Sequence, residues 1–290
     1  VPTGTTPNRM FYRMQEEGVI SDAFWLRLYW RFNMAGVPLH TGEYRMTPGM
    51  TVRDLFDDWQ RGNVVQYNLT LVEGWTFRQV RAALARDDQL KHDTAGLSDA
   101  ALMERLGRPG VHPEGRFFPD TYTYAKGSSE LAVLRRALHA MDRRLEAAWA
   151  QRAADTPLKS ADEALILASI VEKETGRASD RAQIAGVFTN RLRNGMLLQT
   201  DPTVIYGLGE KFDGNLRRKD LLADTPWNTY TRAGLPPTPI AMPGKASLLA
   251  AVQPERTKAL YFVARGDGSS HFSSSLDEHN RAVNRFQRGQ

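Results

Sequence analysis

The sequence predicts an α+β fold in two parts, a small module of short helices and strands over residues 1–68 and a larger mixed α/β domain over residues 69–290. Three observations predict it. A chain of 290 residues exceeds the usual size of one domain and can bury a sizeable core. A Gly-x-Thr pattern recurs at Gly4-Thr5-Thr6, Gly49-Met50-Thr51 and Gly74-Trp75-Thr76, each copy ahead of a segment with helical spacing. Downstream of Thr76 the apolar residues keep mostly helical periods, broken by Gly- and Pro-rich stretches.

Each Gly-x-Thr copy reads as strand, turn and helix, because glycine accepts the positive φ of a tight turn and a threonine hydroxyl caps the first free N–H groups of a helix. After Thr51 the residues Val52, Leu55, Phe56 and Trp59 fall on one helical face, and Gly62 supplies the stop. Val64, Val65, Tyr67, Leu69 and Leu71 then alternate as a strand does. The stretch from Gly107 to Thr123 interrupts the helices, and Phe117 to Tyr122 within it reads as an ordered loop or short strand beside a cleft, with Phe117 and Phe118 packed on the core.

Composition excludes several classes. Hydrophobic residues at 41% and charged residues at 24% suit a globular chain. The longest apolar run, Ala164 to Val171 with Ser169 inside it, falls far short of the roughly 20 residues that span a bilayer. With no cysteine there are no disulfides, thiol nucleophiles or thiolate zinc sites. A net charge of +5 favours a polyanionic partner, but the basic residues are dispersed and no nucleic-acid motif is present, so a generally solvated surface and no nucleic-acid partner are expected. His271, Asp277 and His279 lack a metal-ligand motif, and neither metal nor cofactor is expected. The chain opens at Val1 without the features of a secretory signal, and the expectation is a sequence beginning inside a longer protein.

The chemistry gathers after Ser160-Ala161-Asp162-Glu163, an S-x-x-E capping box that starts a helix running to Gly176. At 100° per residue Ile166, Leu167, Ile170 and Val171 make one apolar face, Glu174 falls near its centre and Glu172 points away. A carboxyl on such a face is either a desolvated acid with a raised pKa, suited to general acid catalysis, or half of a buried ion pair with Arg177, Arg181 or Arg191. A second helix begins near Ser179-Asp180, carries Ile184, Val187, Phe188 and Leu192, and ends at Gly195. Leu198-Gln199-Thr200-Asp201-Pro202-Thr203 is a row of hydrogen-bonding side chains that reads as the edge of a sugar cleft or as a turn, and Trp227-Asn228-Thr229-Tyr230-Thr231 adds aromatic and amide groups beside a proline-stiffened loop.

Taken in order, Ser169-Ile170-Val171-Glu172-Lys173-Glu174-Thr175, Asn190-Arg191-Leu192, Leu198 to Gly207, Asn228-Thr229-Tyr230 and Gly234-Leu235-Pro236-Pro237 resemble the YceG-like family of endolytic murein transglycosylases, over roughly residues 70–290. Residues 1–68 more loosely resemble LysM-like domains, which bind peptidoglycan glycans. The resemblance implies a peptidoglycan lyase in which Glu174 is the catalytic residue, with Gln199, Thr200, Asp201, Asn228 and Tyr230 binding the glycan strand. It implies a single-pass inner-membrane protein whose anchor precedes Val1, with this portion in the periplasm beside peptidoglycan synthases. Trp227 stands where the family more often has tyrosine, and Thr238 and Met242 also differ from its usual loop. Two rivals remain: a hydrolase drawing a second carboxylate from Glu172, Asp201 or Asp120, and a non-catalytic peptidoglycan binder.

Overall fold

The structure, a computed structural model, describes all residues except Thr3, Ala35, Pro38, Thr175, Gly176 and 288–290. It divides into two compact units, one made of residues 1–69, 87–93 and 122–130, the other of residues 70–86, 94–121 and 131–290. The first therefore takes in two later segments beyond the 1–68 stretch marked in the sequence. The strand β1 (Gln66–Thr70) pairs with β2 (Thr121–Ala125), where Tyr67 stacks on Tyr124 at 6.1 Å, and residues 87–93 join through the Lys91 N–H to the Ser128 carbonyl and the Gly127 N–H to the Gln89 carbonyl.

Three helices fill the first unit: α1 (Pro7–Glu16), α2 (Ala23–Asn33) and α3 (Val52–Arg61). Phe11, Trp30, Phe56 and Trp59 from these helices form one aromatic cluster, with ring centroids 5.2–6.1 Å apart. Gly4 and Gly49 take φ of 77° and 87°, and Thr6 and Thr51 cap the helices that follow. Thr51 and Asp54 complete a reciprocal capping box, and α3 stops at Gly62 in the left-handed conformation. The strands expected before Gly4 and Gly49 do not form among the described residues. Helix α2 is apolar on nearly every side. Ala23 and Trp30 turn inward while Phe24, Trp25 and Phe32 are 56%, 67% and 76% exposed.

The second unit opens with α4 (Phe77–Ala85) and α5 (Asp99–Arg105), the first of them again preceded by a glycine of positive φ, Gly74, and capped by Thr76 with Gln79. Helix α6 (Glu130–Ala150) leads to α7 (Ala161–Glu174), the centre of the unit. Helix α7 packs on α8 (Ala178–Arg193), α9 (Asp201–Leu208) and, beyond α10 (Arg218–Leu222), α11 (Lys245–Val252). A hairpin of β3 (Tyr261–Ala264) and β4 (Ser270–Ser273), antiparallel with Tyr261 opposite Ser273, lies against α8 and carries α12 (Leu276–Gln287).

Because neighbours cover α7 on several sides, Ala164, Leu165, Leu167, Ala168, Ser169, Ile170 and Val171 are all buried. The single apolar face read from the sequence is thus too narrow a description, and Glu172 is engaged as well, its Oε2 accepting the Gly244 N–H at 2.9 Å. Ser160 Oγ accepts the Glu163 N–H as expected, but the Glu163 carboxylate reaches back to the Lys159 N–H. The stop at Gly176 lies outside the described residues. Phe117 and Phe118 are buried, and Phe117 stacks on Phe77 at 5.1 Å.

The capping box of α3 gives a simple check. Replacing Thr51 by alanine removes the hydroxyl that accepts the Asp54 N–H and should lower the stability of the first unit by about 1 kcal/mol in urea denaturation. An unchanged midpoint would mean that the helix start does not depend on this side chain.

Candidate active site

Glu174 is the last residue of α7, where the buried helix delivers it to the edge of the core. The residue is half-buried, yet the atoms around its carboxyl remove enough water to push its pKa up to about 7. The Asp201 charge pushes the same way, whereas a hydrogen bond from the Thr200 hydroxyl to Glu174 Oε1 and the more distant charge of Arg191 oppose it. A carboxylate locked to a guanidinium would titrate low. Arg191, one of the three arginines that could have formed such a pair, spends its guanidinium elsewhere, donating to the carbonyls of Leu260, Leu197 and Leu198 and to Gln199 Oε1.

The segment before α9 builds the opposite wall. Gln199 has a φ of 51°, a left-handed conformation that non-glycine residues rarely adopt, and its N–H donates to the Thr229 carbonyl at 3.1 Å. That kink turns Thr200, which is almost fully buried, toward Glu174, and sets Asp201 in the first turn of α9. Tyr230 donates its hydroxyl to Asp201 Oδ1 at 2.6 Å; burial, then this bond, holds the phenol pKa above its ordinary value, so the proton stays on the tyrosine.

Asn228 departs from its expected place on the cleft wall. It is fully buried, its amide nitrogen donating to the carbonyls of Leu221 and Ala223 at 3.0 and 2.6 Å and its oxygen accepting the Tyr230 N–H at 2.8 Å. It is a strut that holds the loop carrying Tyr230. Thr200 by its bond, and Asp201 and Tyr230 by their charge coupling and mutual bond, gather around Glu174, whereas the Gln199 side chain is exposed and its Oε1 is taken by Arg191.

Similarity to known proteins extends over nearly the whole chain. A family model described as the YceG-like family matches residues 1–285, and an endolytic murein transglycosylase of Bacillus subtilis is 30% identical over 99% of this chain and 83% of its own length. The chain belongs to the YceG-like family. An endolytic murein transglycosylase of Streptococcus pneumoniae is 26% identical over 98% of this chain, which spans only 57% of that relative. A crystal structure of a yceG-like protein from Listeria monocytogenes superposes with a TM-score of 0.62 at 32% identity, covering 97% of both chains.

Two departures from the usual YceG-like loop turn out to touch each other: Trp227 Nε1 donates to Thr238 Oγ1 at 2.9 Å, so the indole gains a hydrogen-bond acceptor at the position where threonine stands. Of the carboxylates a hydrolytic reading would draw on, Glu172 is held by the Gly244 N–H and Asp120 by the Thr121 N–H, while Asp201 acts on Glu174 directly through its charge.

One group escaped the sequence reading. Glu114 is 3% exposed, and burial pushes its pKa to about 7 although the Phe77 N–H donates to both its oxygens, at 2.9 and 3.1 Å, and the Tyr206 hydroxyl donates at 3.1 Å. It lines a cavity of about 1130 Å³ whose wall includes Lys173, the residue before Glu174, and Pro202, the residue after Asp201.

The raised pKa of Glu174 has a consequence for stability. Its ordinary value is 4.5, so the protonated folded form is favoured, a contribution fully present below pH 4.5 and lost as pH rises through about 7. Glu174→Gln cannot ionise and escapes that loss. Its melting temperature relative to the parent protein should therefore climb between pH 4.5 and 8; a flat difference would place the carboxyl pKa at its ordinary value.

Proposed function

We propose that this chain is a peptidoglycan lytic transglycosylase, a lyase that cuts the glycosidic bond after N-acetylmuramic acid within a strand and leaves a 1,6-anhydro end. The observation that carries the reading is the carboxyl of Glu174, desolvated to a pKa of about 7 and set between Thr200 and the Asp201–Tyr230 pair. The names of the Bacillus and Streptococcus relatives support the same activity.

Near neutral pH an appreciable fraction of Glu174 holds its proton, as a general acid requires. It gives that proton to the glycosidic oxygen as the bond to C1 of the muramoyl residue breaks. The new carboxylate then takes the proton of the C6 hydroxyl of the same sugar, whose oxygen bonds to C1 and closes the anhydro ring. No water is consumed, and one carboxyl performs both proton transfers, unlike the paired carboxylates of ordinary glycosidases. Thr200 fixes the orientation of Glu174 by its bond to Oε1. Asp201, held by Tyr230, adds its charge to the burial that keeps Glu174 protonated and offers that charge to the cationic C1 of the transition state. Gln199 and Tyr230 border the strand, and Asn228 positions Tyr230.

We further propose that the first unit is a LysM-like module, a reading supported by its glycine-turn and capped-helix recurrence and by a groove of about 780 Å³ lined by Tyr44, Trp59 and Arg13. No helix among the described residues is long and apolar enough to cross a membrane. The family resemblance supports an anchor before Val1, placement in the periplasm on the inner membrane, and action beside peptidoglycan synthases to end growing strands.

Mass spectrometry of digested glycan strands tests the reaction. The products should be lighter by one water than those of hydrolysis, and Glu174→Gln should slow their release by about 10²–10⁴-fold; full-mass products would make the enzyme a hydrolase. The pH profile tests the electrostatics. The efficiency kcat/KM should fall as pH rises through about 7, and Asp201→Asn, by removing the charge that raises the Glu174 pKa, should move that fall to lower pH. A fall that stays in place would remove Asp201 from this role.

A further inference from the structure

We propose that the 1130 Å³ cavity with Lys173 and Pro202 in its wall receives the short peptide amide-linked to the lactyl carboxyl group of the muramoyl residue being cut, so that the enzyme selects strands whose peptide is still attached. The inference rests on the transglycosylase reading above and adds to it the part of the substrate that is not sugar.

Position is the first argument. The bond to be broken leaves C1 of the same sugar that bears the peptide at C3, so the peptide must lie within one sugar's width of the acid. The cavity reaches toward the acid, since Lys173 and Pro202 in its wall are one chain step, about 3.8 Å between Cα atoms, from Glu174 and Asp201. Its volume exceeds the about 300–1,000 Å³ of sites that engulf a single small organic ligand, leaving room for a chain of several residues.

Charge is the second argument. While the lactyl carboxyl is amidated by the peptide the sugars of the strand are uncharged and have little use for a ring of ions, whereas the peptide bears free carboxylates and an amine. The wall presents Arg78, Arg81 and Lys173 together with Asp99 and Glu210. In the free protein these groups hold one another: Arg78 with Glu210 at 2.9 Å, Arg81 with Asp99 at 3.1 Å, and Lys173 with the Gly74 carbonyl at 3.2 Å. The Arg78–Glu210 pair is largely exposed, with side chains 61% and 84% accessible, and such pairs contribute little and exchange readily for a ligand's charges. Ile205, Phe212, Trp227 and Ile240 supply apolar surface between the ions, suited to the methyl groups of alanine residues.

Depth is the third. Glu114 and Tyr206 line the cavity, joined by the hydroxyl-to-carboxyl bond at 3.1 Å. The Glu114 carboxyl and the Tyr206 hydroxyl are fixed in place before any ligand arrives, as recognition of a peptide amide requires.

The test compares two preparations of the same glycan strands, one with peptides attached and one stripped by an amidase that cleaves the lactyl–alanine bond. The parent protein should cut the peptide-bearing strands with a kcat/KM about tenfold higher, the worth of one charge-assisted hydrogen bond, and mainly through KM. In Arg78→Glu and Arg81→Met the ratio of the two kcat/KM values should fall toward one. Because the ratio is the readout, a general loss of activity in either variant does not imitate the result. Equal cutting of both preparations by the parent protein overturns the inference and leaves the transglycosylase reading standing. If neither preparation is cut, that reading fails instead, and calorimetric titration of Glu174→Gln with a soluble muramoyl tetrapeptide decides the cavity separately. Saturable heat that Arg78→Glu weakens supports it, and the absence of heat overturns it.

Discussion

Removing water from one carboxyl without giving it a counter-charge is the constraint on which the site is built. Helix α7 achieves it by being buried along most of its length and then ending at Glu174. A carboxyl there could recover the lost hydration only from an ion pair or from several hydrogen bonds. Among the described residues Thr200 donates its hydroxyl, Asp201 adds a repelling charge and the Arg191 charge offsets only part of the lost hydration, so the proton is retained to about pH 7. An arginine that could have paired with the group, Arg191, donates instead to the backbone carbonyls of Leu197, Leu198 and Leu260.

That balance depends on a rigid second wall. The left-handed turn at Gln199 brings Thr200 and Asp201 to Glu174, and it is held by the Thr229 carbonyl and hydroxyl accepting the N–H groups of Gln199 and Thr200. Asn228 closes the loop that supplies Thr229 and Tyr230. The backbone strain at Gln199 is thus stored where the carboxyl must be met from one side only. Few of these residues touch a reacting atom, yet each sets where Asp201 and Thr200 stand.

Features encoded locally were legible in the sequence. The threonine caps before α1, α3 and α4, the stop at Gly62 and the apolar stripe of α8 all depend on residues within one or two turns of each other. Glu174 was legible for a related reason, since an acid on a buried helical face conflicts with its own local pattern. Helix α2 was not, because a helix apolar on nearly every side has no stripe to detect. Glu114 was invisible for a different reason. Its partners Phe77 and Tyr206 lie 37 and 92 residues away, and no local spacing brings them together. Asn228 could be read as a functional amide, but only its complete burial shows that it serves the loop.

The central claim is that Glu174 holds a proton near neutral pH in the resting protein. Infrared difference spectra between the parent protein and Glu174→Gln, recorded across a pH titration, observe that proton through the carbonyl stretch of the neutral acid. The account predicts a protonated band that disappears with a midpoint near pH 7. A band already lost by pH 5, with a midpoint close to the ordinary 4.5, would contradict it.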